Sequence, residues 1–175
     1  MKTEHKNISR IVALSLLVLL AAVSRILPHP QNFTPLIAIA FFGGASFRSK
    51  HLAVIIPLAA MLVSDAVIGF HALMPVVYAF FIITTLAARK FQTEKSFKNI
   101  TQFSVLSSVC FFIATNFAVW VSSGMYEMSV SGLGTCFAAA IPFFQNTLAG
   151  TLLYSYTLFY GFSFLEKRVP QMQAA

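Results

Sequence analysis

The sequence predicts an all-α polytopic membrane protein: six transmembrane helices forming one compact bundle across residues 1–175. Three observations predict it. Apolar residues make up 58% of the chain, with 19 Phe and only 10% charged residues, and the mean hydropathy is +0.79; a water-soluble domain of this size needs more polar surface. The charged residues divide the chain into six apolar intervals. Eleven of the twelve Lys and Arg residues then fall in connectors on one face of the bilayer.

A helix needs about 20 apolar residues, and no fewer than about 17, to cross roughly 30 Å of hydrocarbon. The first interval follows Lys2, Lys6 and Arg10 and predicts a helix near 11–27. Its basic start, apolar run and small residues Ala22 and Ser24 also outline a secretory signal, but five further apolar segments make an uncleaved first span the expected reading. Pro28, Pro30 and Pro35 keep the next stretch from being helical throughout. Thr34 as N-cap and Pro35 at the first helical position open a short second helix near 34–47. Arg48 and Lys50 precede a third near 51–70, His71 separates it from a fourth near 72–89, and Arg89, Lys90, Lys95 and Lys98 lead into a fifth near 100–122. The sixth, near 138–164, is long enough to tilt and ends at Lys167 and Arg168.

Six crossings place both termini on one side, and short loops rich in Lys and Arg stay in the cytoplasm. Both termini are therefore expected in the cytoplasm, with the loops near 28–33, 71 and 123–137 outside. Arg25 is the only basic residue on that outer side. The net charge of +7 sits in short connectors and forms no stripe with interleaved aromatics, which argues against nucleic acid as a partner. Lipid is the expected surroundings. Cys110, mid-helix, and Cys136, expected in the third outer loop, differ too much in depth for a disulfide.

An unpaired polar side chain in hydrocarbon is costly, so each one inside a span should face a partner or a cavity. Asp65 with Ser64, Asn116, and Gln145 with Asn146 all fall in the outer half. At 1.5 Å per residue, Asp65 is expected roughly 8 Å below the outer end of its helix, Asn116 roughly 9 Å and Asn146 roughly 12 Å. Arg25 ends the first helix at the same level and is the natural partner of Asp65. The candidate pocket is therefore Arg25, His29, Asn32, Asp65, His71, Asn116, Trp120, Gln145 and Asn146, with Gln31, Tyr126 and Glu127 near it. Ser108, Phe112, Asn116 and Trp120 recur every four residues, as do Asn146, Gly150 and Tyr154, so each set makes a stripe on one helix face. Such stripes also serve plain helix packing, and an Arg25–Asp65 pair also serves to tie two helices together.

No metal site and no cofactor is expected: His29 and His71 lack ligand spacing. Walker A, dinucleotide, G-x-S-x-G and H-E-x-x-H motifs are absent. Ala40-x-x-x-Gly44 and Ala114-x-x-x-Ala118 are small-residue stripes suited to helix contacts.

The run Arg25–Pro35, the segment Phe41–Ala45, Pro57–Asp65, Gly69-Phe-His71 and Ile141–Gly150 together resemble a family of small uncharacterised bacterial membrane proteins. That family in turn resembles the substrate-binding S components of energy-coupling-factor (ECF) transporters, six-helix proteins with an outward pocket. The resemblance implies a bacterial inner-membrane protein that binds a small, vitamin-like or other polar nutrient for uptake, with a transmembrane coupling protein and ATPases as partners. Those S components carry an A-x-x-x-A docking motif on the first helix; here Ala13 is followed four residues later by Leu17. Two other classes stand beside transport. One is a structural or assembly protein without a small ligand; the other is an intramembrane enzyme using Asp65 and the outer histidines.

Overall fold

The computed structural model describes residues 2–93 and 95–169, with side chains from residue 7 onward. The side chains of Lys2 and Lys6, counted above among the basic connectors, and residue Glu94 lie outside the described residues. Six α-helices account for the described fold: α1 Lys2–Val23, α2 Leu36–Ser46, α3 Lys50–Ile68, α4 Met74–Ala88, α5 Phe97–Ser122 and α6 Val130–Arg168. A 3-10 turn, Ser24–Ile26, extends α1, and another, Arg89–Phe91, extends α4. Every helix except α2 is long and apolar enough to cross a membrane. Large apolar side chains point outward from this bundle, Leu20 at 65% exposure and Val67 and Ile83 each at 64%, so its exterior is built for lipid.

α2 departs from the expected crossing. Its 11 residues rise only about 16 Å, and every one of them is buried. A helix apolar on all sides belongs in the middle of a bundle, and α2 packs against α1, α3, α4, α5 and α6. Small residues let these backbones approach. A Cβ on Gly43 would lie 2.7 Å from Cγ of Pro57 on α3, and one on Gly44 would strike the Thr85 carbonyl and Ala88 of α4. Ala40 and Gly44 thus serve contacts inside the chain. Below them, Phe41 packs against Phe91, Phe103 and Phe159, and Phe42 against Phe159 and Phe162.

The start of α2 also differs from the sequence reading. Pro35, and not Thr34, stands at the N-cap, and no side chain caps the helix.

α6 begins at Val130, eight residues before the expected 138, and runs 39 residues, or about 58 Å. Gly132, Gly134, Ser131 and Thr135 read as loop by propensity, but Ser129 caps the helix by accepting from the Gly132 N–H at 3.1 Å. Gly132 also lies so close to the Glu127 backbone that a Cβ would collide with it. The connector after α5 therefore shrinks to residues 123–129. Cys136 lies in the helix, buried, instead of in a loop, while Cys110 is exposed and both are free.

The basic connectors gather at one end of the bundle. Arg10 of α1 pairs with Glu166 of α6 at 3.1 Å and donates to the Ser46 carbonyl at 2.9 Å. Arg89 and Gln92 donate to the Phe47 carbonyl at 3.4 and 2.9 Å. The basic start of α1, the α2–α3 and α4–α5 connectors and the basic end of α6 thus share one face. Arg25 lies at the other.

Candidate functional site

The short α2 leaves the opposite half of the bundle interior unfilled, and a cavity of about 270 Å³ occupies it. Only the first two residues of α2, Leu36 and Ile37, reach its wall; the remainder comes from Arg25, from Asn32 and Thr34 of the proline-rich loop, from Asp65, His71, Leu73 and Val77, and from α5 and α6. Along α6 the wall runs from Ala140 to Thr151, about 16 Å of helix. Phe111, Phe112, Phe143 and Phe144 make one part of it aromatic.

Arg25 and Asp65 are the charged residues of this wall. Their side chains are 10% and 4% exposed, and guanidinium and carboxylate meet at 2.7 Å. The 3-10 turn at Ser24–Ile26 turns Arg25 inward from the end of α1, and the Ser24 hydroxyl holds it in place, donating to the Ala21 carbonyl at 2.7 Å and sharing a hydrogen bond with the Tyr154 hydroxyl at 3.1 Å. Arg25 Nη1 also donates to Ser64 Oγ at 2.5 Å and contacts Met61 Sδ at 3.5 Å. The second Asp65 oxygen accepts from Tyr78 Oη at 2.6 Å. The carboxylate is thus held from two sides, by α1 and by α4.

Of the nine residues expected from the sequence, Arg25, Asn32, Asp65, His71 and Asn116 come together in this wall. The other four take other places. His29 turns its ring back toward the Pro30 and Arg25 carbonyls at 2.9 and 3.1 Å. Trp120 donates to the Glu127 carbonyl at 2.9 Å and closes the α5–α6 connector. Gln145 is exposed on the surface of α6. Asn146 donates to the Gln31 carbonyl at 3.0 Å, so it pins the proline-rich loop onto α6.

Gly150, one turn along, takes the same loop at close range: a Cβ there would lie 3.1 Å from the Thr34 nitrogen and 3.2 Å from the Phe33 carbonyl carbon. The loop itself turns through Asn32, whose φ of 63° is left-handed and suits Asn better than most residues. Asn116 and Asn146 do not share one level, because α6 starts early. The Asn116 carbonyl meets Cys136 Sγ at 3.5 Å, ten residues before Asn146, or about 15 Å along the helix. The Asn116 side chain donates to the Phe112 carbonyl of its own helix at 2.8 Å.

Tyr78, Thr115, Thr147 and Thr151 are polar residues of the site that the sequence reading did not single out. Tyr78 was hidden because its role depends on the tight α3–α4 hairpin that faces it toward Asp65. Thr147 and Thr151 were overshadowed by the neighbouring Asn146, although with Ala140 and Phe144 they recur at four-, three- and four-residue spacing, a single helical face. Among the described residues no group of three or more His, Cys, Asp or Glu is placed to hold a metal.

Comparison with known proteins adds the family. A family model described as a family of unknown function, DUF6580, matches residues 5–172. The chain belongs to DUF6580. Neither the curated proteins nor the solved structures contain a match, so the DUF6580 cavity has to be read from its own chemistry.

Proposed function

We propose that this DUF6580 protein captures a small molecule in the cavity between Arg25, Asp65, Asn116 and Thr151 and serves as the substrate-binding component of an uptake system. The supporting observation is the cavity itself. It lies at the end of the bundle away from the basic connectors, and its wall joins apolar and aromatic side chains to convergent polar ones, Arg25, Asp65, Asn116 and Thr151 among them, a combination that suits a small molecule with polar groups. By the tendency of basic loops to remain in the cytoplasm, the basic end faces inward and the cavity faces outward across a bacterial inner membrane. This is the arrangement of the S components of ECF transporters, which the sequence resembles. A coupling protein and ATPases would supply the driving force, and the missing A-x-x-x-A pattern on α1 implies a docking surface different from theirs.

The test is the thermal stability of the purified protein against a panel of vitamins, nucleobases and divalent metals. A ligand present at 100 times its dissociation constant stabilises by about 2.7 kcal/mol, readily seen as a rise in Tm. Ala140→Phe places a ring in the cavity and is expected to abolish that rise. Failure of every compound to raise Tm refutes capture. The architectural reading also has an observation in its favour, since both Asp65 oxygens are already engaged by the protein. If Asp65→Asn unfolds the protein while cavity-filling variants change nothing in the cell, that reading prevails.

A further inference from the structure

A second recess, of about 210 Å³, lies at the basic end of the bundle, between α1 and the connector that leads into α3. Its floor is Leu14 and Phe47, both buried. The side chains it leaves accessible change character along its length. Asn7, Arg48 and Ser49 are exposed at the mouth, and Ile11 and Leu52, half-buried, follow one turn deeper. Arg10 stands between them as wall, because Glu166 answers its charge at 3.1 Å and its Nη1 donates to the Ser46 carbonyl. α1 and α3 both start at the basic end, so polar mouth and apolar depth run in the same direction on the two helices.

That direction is the one a lipid takes. α3 has 19 residues and rises about 28 Å, which matches the roughly 30 Å of hydrocarbon. Arg48 and Ser49, just before its first residue, then stand at headgroup level, with Ile11 and Leu52 just inside the hydrocarbon. Deeper on the same helices exposed side chains are apolar, Leu16 at 53% and Ile55 at 59%. The charge at the mouth is also one-sided. The connectors of this end hold eleven Lys and Arg against three acids, Glu4, Glu94 and Glu166, so the summed field favours an anion. The Ser49 hydroxyl accepts from the Leu52 N–H at 3.4 Å and keeps its own hydrogen for another acceptor. A basic pocket between helices at this level is the build that holds an anionic headgroup. A free phosphate would leave the apolar depth unused, and a zwitterionic lipid would leave the charge unused.

We propose that this groove retains one anionic phospholipid from the leaflet at the basic end, its phosphate at Arg48, Ser49 and Asn7 and the upper part of one acyl chain along Ile11 and Leu52. The site is separate from the cavity beside Arg25 and does not depend on the capture reading. It gives the basic ends of α1 and α3 a shared lipid contact, as Arg25, Ser64 and Asp65 join the two helices at the other end.

The experiment is native mass spectrometry of the full protein released from mixed micelles doped with dioleoylphosphatidylglycerol or with dioleoylphosphatidylcholine, for the wild type and for Arg48→Gln, Leu52→Trp and Lys98→Gln. The expected result is one retained phosphatidylglycerol, preferred over phosphatidylcholine by about fivefold or more, the effect of one basic residue near an anionic surface. Arg48→Gln should remove that preference, and Leu52→Trp, which fills the apolar depth, should lower retention of phosphatidylglycerol by a similar factor. Lys98→Gln removes an exposed charge of the same end on α5, outside the groove, and should leave retention unchanged. Equal retention of the two lipids by the wild type overturns the proposal. An equal loss in Lys98→Gln and Arg48→Gln shows attraction to the whole basic face and overturns the groove as its site. Displacement of the lipid by soluble glycerol phosphate as readily as by phosphatidylglycerol shows an anion site without a chain and overturns it as well. Unchanged retention by a folded Leu52→Trp protein does the same for the placement of the chain; because Arg48 is exposed, Arg48→Gln keeps the test decisive if the tryptophan variant does not fold.

Discussion

Replacing Asp65 by Asn tests how much of the bundle depends on the Arg25–Asp65 pair at the cavity end. At 2.7 Å the gross attraction between unit charges is about 6 kcal/mol at an effective dielectric constant of about 20. Desolvation of both groups offsets much of this, but removing one partner leaves the other charge buried and uncompensated, which costs about 3–5 kcal/mol. Arg25, whose side chain is 10% exposed, would be that charge. The expected loss in Asp65→Asn is therefore about 3–5 kcal/mol, a large share of a typical total stability of about 5–15 kcal/mol. Tyr78→Phe removes one hydrogen bond and keeps the ion pair, so its loss should be near 1 kcal/mol, the smaller scale of interhelical hydrogen bonds in membranes. Unfolding in mixed micelles, followed by Trp120 emission, measures both. The double variant Arg25→Met with Asp65→Leu supplies the control, because an apolar pair of similar volume is often neutral or stabilising. A loss below about 1 kcal/mol in Asp65→Asn, or a double variant no better than the single, would refute the reasoning that this is a desolvated pair.

Gly44→Ala should destabilise by about 1–3 kcal/mol through overpacking, because its Cβ meets the Thr85 carbonyl and Ala88, whereas Gly161→Ala, with nothing within 4 Å, should be neutral or slightly stabilising; the same unfolding assay separates them. Asn146→Ala releases the Gln31 carbonyl at a cost of about 0.6 kcal/mol, the average for interhelical hydrogen bonds. Its clearer signature should be faster amide exchange across residues 29–34, and unchanged exchange there counts against the pinning role. Lys95 lies in the connector before α5, where burial, with a smaller push from Arg10, holds its pKa below the ordinary lysine value against a lift from Glu166. A lysine pKa depressed by folding means that the unfolded chain binds more protons between the two values, so stability rises with pH through that window. Lys95→Met should be more stable than wild type at neutral pH and lose that alkaline rise; an unchanged slope denies the burial.

Pattern and charge carried most of the fold in the sequence, and the misses have local causes. The hydrophobic intervals gave six helices because lipid-facing and core-facing positions are both apolar, so a span shows as a run even without amphipathic phase. The same property hid that α2 touches no lipid, since a core helix and a membrane helix read alike. Residues 130–137 read as loop because their Gly, Ser and Thr weigh against helix locally, whereas the Ser129 cap and the close approach of Gly132 to the Glu127 backbone fit a helix that starts there. In the site, the Arg25–Asp65 pairing was legible because Arg25 is the lone cation expected on that side and Asp65 the acid expected inside a span, where a charge needs a partner. Asn146 and Trp120 were legible as costly polar groups but not as to what they satisfy. Both bond to backbone carbonyls, which lie at every position and leave no mark in a sequence.

The shortness of α2 and the position of the cavity have a common origin. A helix that began five residues earlier would place side chains where Asn32 and Thr34 now border the cavity. Pro30 and Pro35 prevent that, since proline inside a helix loses a hydrogen bond and clashes with the preceding turn, and the residue before each is pushed toward extended backbone. Asn146 and Gly150 then fasten the non-helical stretch to α6 so that it forms wall instead of filling the interior. The Gly43-Gly44 pair fixes the other end, locking α2 against α3 and α4 so that it cannot slide upward into the void. Pro35→Ala therefore separates the two ends of this device. It removes the ring at the helix start and keeps the glycine lock, so the bundle should stay folded while α2 gains up to one turn at its N-terminus. That growth would lengthen α2 into the cavity and weaken ligand capture more than it changes Tm. If capture survives an extended α2, proven by protected amides at residues 33–35, the cavity does not depend on where that helix begins.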